Sequence, residues 1–192
     1  ITHRTVSADI DLEFLGFEIS GSSMETTQTL QIDQGIKLTG RNEIRLSNNG
    51  NLVINGGTLS SLRWVDIQPG GILQGNGRIE ASLYNDGIVS TSGKTPLEVS
   101  TDYYETMDAR LRVSIADDTS TGLKVSGKAI LAGTLDIARS DLSAKANRPY
   151  TILTARQIEG TFRNMNQRVT DGNDQLFSIH YTDSEVSLLP VK

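Results

Sequence analysis

Carboxylates are the residues of this chain best spaced to do chemistry. Asp66, Glu80 and Asp86 fall on successive strand-and-turn segments, with Arg63 and Arg78 nearby in sequence. Two or three acidic side chains stacked on one outward face beside a guanidinium would suit acid–base work on a glycan, or calcium. A solvated strand face carries the same residue types, and that reading is kept for them here. His3 lies near one terminus and His180 in an apolar alternating strand, so they read as surface or core histidines rather than a metal or acid–base pair. Gly93-Lys94-Thr95 lacks the earlier glycine of a phosphate-binding loop, because position 88 is Ile88, and Pro96 follows at once. Gly75-Asn76-Gly77 has no third glycine of a dinucleotide fingerprint. Both read as turns. Asp117-Asp118 and Asp171-Gly172-Asn173-Asp174 read as loops without EF-hand spacing. Neither His-Glu-x-x-His nor Gly-x-Ser-x-Gly occurs. The expectation is a chain with no catalytic residue, cofactor or metal site.

Aromatic residues carry a different message. Trp64, Tyr84, Tyr103 and Tyr104 are candidates for a sugar-stacking platform, although their spacing does not require one surface. Phe162, Phe177 and Tyr181 are expected to pack beneath a closing hairpin, each burying about 150–250 Å². With Tyr150, Leu153 and Leu188 they make up the expected core of a C-terminal cap.

The elements that must position these groups are strands. Of the 192 residues, 36% are hydrophobic and 18 are Gly. Period-two alternation recurs in Ile10-Asp11-Leu12-Glu13-Phe14, Leu30-Gln31-Ile32, Ile36-Lys37-Leu38, Ile44-Arg45-Leu46, Leu52-Val53-Ile54 and Val65-Asp66-Ile67. The one helical candidate, residues 140–146, is short, polar and stopped by Pro149. Gly35, Gly50, Gly71 and Gly87 mark four turns at similar but irregular intervals, as in a solenoid whose corners absorb variation. Asn49-Gly50, Asn55-Gly56 and Asn76-Gly77 supply residues that tolerate positive φ. An antiparallel sandwich is the rival, since Asn-Gly is also a hairpin signal. The repeat favours a parallel β-helix.

Composition shifts near residue 100, with 13 Gly before it and 5 after. Longer strands are expected beyond it, over 110–116, 123–125, 129–138, 150–154 and 176–181. Residues 177–181 and 185–189 read as a hairpin around Thr182-Asp183-Ser184. The expected division is therefore 1–100 as Gly-rich coils and 101–192 as a capping region, because a terminal coil must not leave its edge unpaired. The net charge of −5 argues against a nucleic-acid partner. Zero Cys excludes disulfides and Cys-ligated zinc. No run approaches the ~18 apolar residues of a membrane helix. Ile1-Thr2-His3-Arg4 reads as the start of a mature or excised segment.

The run 122–137 resembles a segment near the C-terminal end of bacterial autotransporter passengers of the pertactin-like type, through Leu123, Val125, Gly127, Leu131, Gly133, Leu135 and Ile137. Residues 150–162, where a Tyr150-led strand precedes Gly160-Thr161-Phe162, are similar to that family, as is the closing 177–189 hairpin. Residues 70–79 and 85–89 resemble its Gly-rich coils. One departure is Thr121-Gly122 before Leu123, where the family more often has an acidic residue. The resemblance implies a right-handed parallel β-helix with a hairpin-bearing C-terminal cap, exported through the periplasm and outer membrane to the bacterial surface or the extracellular space. It implies a non-enzymatic adhesin or virulence-factor type of passenger whose C-terminal, autochaperone-type region folds early. The implied partners are its own upstream coils, an outer-membrane β-barrel that is not in this chain, and a host surface protein or glycan. The alternative is a β-helical carbohydrate-active enzyme or glycan-binding domain.

Overall fold

Short strands with one apolar face need a neighbour to cover it, and their backbone edges need partners. The chain meets both needs by coiling upon itself. A computed structural model describes residues 3–21, 26–92, 95–116, 120–141, 148–171 and 175–191, and these are almost wholly β. The first coils run through β1 (Arg4–Ala8), β2 (Leu12–Phe14) and β3 (Phe17–Ser20), then β4 (Gln28–Asp33), β5 (Lys37–Gly40) and β6 (Ile44–Ser47). Next come two coils traced as single bent strands, β7 (Gly50–Ile67) and β8 (Ile72–Asn85). They are followed by β9 (Ile88–Thr91), β10 (Leu97–Val99) and β11 (Tyr103–Glu105). The chain continues through β12 (Arg110–Ala116), β13 (Ser120–Thr121), β14 (Leu123–Val125), β15 (Lys128–Leu131), β16 (Thr134–Asp141), β17 (Tyr150–Thr154) and β18 (Gln157–Gly160). A 3-10 turn at Met165–Gln167 leads into β19 (Arg168–Thr170), β20 (Leu176–Tyr181) and β21 (Glu185–Pro190).

The coils stack in parallel through about six turns. Three ladders form the walls. The first runs β1, β4, β7, β8, β9, β12, β16. The second runs β2, β5, β7, β8, β10, β14, β17. The third runs β3, β6, β7, β8, β11, β15, β18. The architecture is therefore the parallel β-helix expected from the repeat, and not the sandwich. Parallel pairing crosses residue 100 without a break, and antiparallel pairing to the closing hairpin enters at Tyr150.

Because register is fixed coil upon coil, inward residues form aliphatic columns. On the second wall Leu12, Leu38, Leu59, Ile79, Val99 and Val125 stand opposite one another. On the first, Val6, Leu30, Leu52, Leu73, Val89, Leu111 and Leu135 do the same. Burial grades along both columns. Val6 is 63% exposed and Leu12 38%, whereas Leu52 and Leu59 are at 0%. The first coil is thus the open end of the stack.

The expected turn glycines divide between two corners. Gly50, Gly71 and Gly87 stack at the corner entering the first wall, where Ile88 N–H donates to Gly71 O at 3.0 Å and Arg110 N–H to Gly87 O at 2.9 Å. Gly35 belongs to the next corner, with Gly56 beside Gln34, so the four do not mark one repeat. The strand expected over 129–138 is broken into β15 and β16 by another corner at Ala132-Gly133. Of the helical candidate 140–146, residues 142–146 lie outside the described residues, and positions 140 and 141 end β16.

A Cβ on Gly87 would sit 2.5 Å from Gly71 O and 2.6 Å from Gln68 O, both backbone atoms that cannot yield. Gly35, at φ +84°, faces open space and bears only the conformational preference. Gly87→Ala is expected to lower unfolding free energy by about 3 kcal/mol, and Gly35→Ala by about 1 kcal/mol, by urea titration. Equal losses would mean that the corner does not depend on close stacking.

Candidate functional site

Two regions gather the residues singled out in the sequence. The first is the C-terminal end. Tyr150, Leu153, Phe162, Phe177 and Leu188 are buried, and Tyr181 is half-buried. β17 pairs in parallel with β14 on one edge and antiparallel with β21 on the other, setting Tyr150 opposite Leu188 and Leu153 opposite Val186. β20 then pairs with both β21 and β19. The Tyr150 and Phe177 rings meet edge-to-face at 6.2 Å, and Phe162 lies 6.3 Å from Tyr181. The Tyr181 hydroxyl accepts from Phe162 N–H at 3.0 Å and donates to Gln167 Oε1 at 2.8 Å. Burial pushes this phenol up to about 12.

The C-terminal segment also reaches the other walls. Ala155 N–H, just past β17, donates to Ser184 O at 3.0 Å, and on the third wall Ile158 N–H donates to Asp183 O at 2.8 Å. On the first, Asn164 replaces a strand: its Oδ1 accepts from Leu135 N–H at 2.9 Å and its Nδ2 donates to Leu135 O at 2.8 Å. Sequence reading missed Asn164, because a side-chain amide standing in for a peptide leaves no periodic signal. Among the described residues, no strand pairs with the outer edges of β1, β2 or β3.

The Tyr150 hydroxyl is buried without a hydrogen-bond partner among the described residues, so its ring carries the packing and its oxygen is a burden. Tyr150→Phe is expected to hold stability or raise it by about 1 kcal/mol, whereas Phe177→Ala lowers it by about 3–5 kcal/mol. A loss in Tyr150→Phe on thermal or urea unfolding would contradict this packing.

The second region lies on the third wall. Asp66, Tyr84 and Tyr104 stand directly opposite one another on successive coils. Trp64 packs edge-on against Tyr84 at 6.3 Å, and Tyr84 stacks on Tyr104 at 4.7 Å with planes 9° apart. With Gln68, Pro69, Asp86 and Thr106 they line an open groove of ≈ 490 Å³. Three of the four candidate platform aromatics are thus brought together. Tyr103 points inward and is fully buried, its bulk accommodated by Ala129 opposite it.

The carboxylate trio does not assemble. Asp66 and Asp86 line the groove, but Glu80 sits on the second wall, where Lys37 Nζ at 2.7 Å and Arg78 hold it ionised below the usual range. There it belongs to a ladder of exposed pairs, Lys37–Glu80–Arg78–Glu98–Lys124, of the kind that contributes little stability per pair.

Behind the groove lies a buried polar network that sequence reading did not single out. Asn85 and Glu105 continue the inward column of Leu46 and Ile67 with polar side chains. Tyr103 donates its hydroxyl proton to Glu105 Oε1 at 2.7 Å, and Asn85 Nδ2 donates to the Tyr103 oxygen at 3.0 Å. Glu105 Oε2 accepts from Gly133 N–H at 3.2 Å, and Asn85 Oδ1 from Gly87 N–H at 3.1 Å. Desolvation raises the Glu105 carboxyl from 4.5 to about 7, against the lowering effect of Tyr103 and the two amides of Ala132 and Gly133. The folded protein therefore holds a proton that the unfolded chain releases near 4.5. The stability tied to that proton is fully present below pH 4.5 and is lost as pH rises through 7. The loss is on the order of 3 kcal/mol. Urea unfolding of the wild type is expected to show this fall between pH 5 and 8, and Glu105→Gln to flatten it; the same slope in both would remove the role of Glu105.

The remaining candidates stay apart. His180 is exposed on β20, with Ser178 Oγ 3.1 Å from its Nε2, and exposed His3 precedes β1 at the opposite end of the stack. Gly93-Lys94, Asp117-Asp118 and Gly172-Asn173-Asp174 lie outside the described residues. Among the described residues no three His, Asp or Glu side chains converge as a metal site, and no helix is long and apolar enough to cross a membrane. No protein-family model matches the chain, and no curated protein matches it. The class of protein defined by the fold is a β-solenoid with a closed C-terminal end.

Proposed function

We propose that this chain is a non-enzymatic passenger segment of a bacterial autotransporter, displayed outside the cell, whose C-terminal part caps the β-helix and nucleates its folding during export. The observation that carries the reading is the difference between the two ends. At the C-terminal end β21 pairs with β17, while the 182–184 loop and Asn164 bond one residue each of the other two walls, Ile158 and Leu135. At the other end, among the described residues, no strand pairs with the outer edges of β1 to β3, and Val6, Ile10 and Leu15 are exposed, the surface that a further coil of the same kind would cover. A stack closed at one end and open at the other grows in one direction. Folding that starts at the closed end and adds coils towards the open one would oppose backsliding through a membrane pore without ATP. The likeness of residues 122–189 to autotransporter passengers supplies the setting, and the assigned location, partners and adhesin role rest on it.

The test places the chain between a reporter and an outer-membrane β-barrel and measures reporter display by protease accessibility. Deleting residues 161–192 is expected to cut display at least about tenfold, as loss of the nucleus slows folding, and Phe177→Ala to reduce it in part. Unchanged display by a variant that has lost its cooperative unfolding in vitro would overturn the export reading and leave the cap intact as a structural finding.

A further inference from the structure

We propose that the groove on the third wall, lined by Trp64, Asp66, Gln68, Tyr84, Asp86 and Tyr104, binds a neutral oligosaccharide. The site is independent of the export reading, since it needs only the stacked coils. Its lining mixes ring surface with a few convergent hydrogen-bonding groups, the pairing that suits a ligand with C–H faces and a rim of hydroxyls. Tyr84 is 42% exposed although it sits in the middle of the stack, where the inward residues on either side of it, Leu83 and Asn85, are buried. Tyr84 and Tyr104 stack on each other, each covering one face of its neighbour, while Trp64, turned 75° from Tyr84, adds a differently oriented ring to the same groove. The lining crosses β7, β8 and β11, a span of about 10 Å at the usual strand spacing, which accommodates about two pyranose rings.

Charge selects the class of sugar. Asp66 shares Arg45, whose Nε lies 3.6 Å from its Oδ2, with Glu43, which pairs with the same guanidinium. The Arg63 guanidinium rides on the Trp64 ring at 5.7 Å from its centroid. Asp86 accepts the Thr106 hydroxyl and, among the described residues, has no ion pair. With Asp66, Asp86 and Glu43 set against Arg45 and Arg63, the small excess of carboxylate disfavours uronic or other acidic sugars, yet it is too little charge to hold a basic segment. Asp86 is well suited to accept from neutral hydroxyls, while Gln68 Nε2 donates to Asp66 Oδ2 at 3.1 Å.

Trp64 is the single tryptophan of the chain, so its emission reports on the groove directly. The experiment titrates the whole chain with neutral tetrasaccharides of glucose, N-acetylglucosamine, mannose and galactose, with tetragalacturonate and tetralysine as charged controls. At least one neutral tetrasaccharide is expected to shift Trp64 emission saturably at or below about 10 mM. Tyr84→Ala and Asp86→Asn are each expected to weaken that binding about tenfold or more, with unaltered far-UV circular dichroism showing that the coils persist. No response to any neutral sugar, a response to the charged controls alone, or full affinity in Asp86→Asn would overturn the proposal.

Discussion

Everything in this molecule depends on what becomes of backbone hydrogen-bonding groups at the ends of a stack. Within the stack every coil finds partners above and below, and the parallel ladders repeat with little demand on side-chain identity beyond an aliphatic residue facing inward. At an end that supply stops, and a row of N–H and C=O groups faces whatever comes next. The C-terminal end answers with three unlike devices: an antiparallel strand, two loop carbonyls and one asparagine amide. Aromatic bulk follows from the same need. Tyr150, Phe162 and Phe177 cover the last aliphatic layer, which short coils alone would leave wet.

The middle of the stack shows the opposite freedom. Because coils pair with one another irrespective of outward side chains, the outer surface is open to specialisation. On the second wall the outward rows hold alternating charges; on the third they hold aromatic rings and two aspartates. Inside, Asn85, Tyr103 and Glu105 tie three adjacent turns together, with the Gly87 and Gly133 amides at two stacked corners drawn in. That network lies directly behind the groove, whose wall includes Asn85 and Glu105. The protonation of one buried carboxyl and the shape of the outward aromatic row therefore share a single segment of backbone.

Strand positions were legible in the sequence because alternation and turn residues are local signals. The 176–190 hairpin, the buried Leu46, Ile54 and Ile67, and the cap core from Tyr150 to Leu188 all follow from patterns a few residues long. Alignment between coils is not local. Asp66 stands opposite Tyr84 and not near Glu80, because corner lengths set which residue returns to the same wall. Trp64, Tyr84 and Tyr104 converge for the same reason, and Tyr103 leaves the platform because it is one position out of phase with Tyr104. Gly35 and Gly50 look alike in sequence yet turn different corners, and the run through 129–138 conceals the corner at Gly133. Asn164 was invisible because its partner is the backbone of another coil, and Glu105 because a period-two pattern does not foretell an inward carboxylate to which backbone amides of the next coil donate.

The central claim is that order in this chain is anchored at its C-terminal end and weakens towards the open one. Native-state hydrogen exchange resolved by residue tests it most directly, since it measures the opening free energy of each strand in place. The account predicts the strongest protection in β14, β17 and β21, with a stepwise decline through β8 and β4 to the weakest protection in β1, β2 and β3. Uniform protection along the stack, or strongest protection in the first coils, would contradict it.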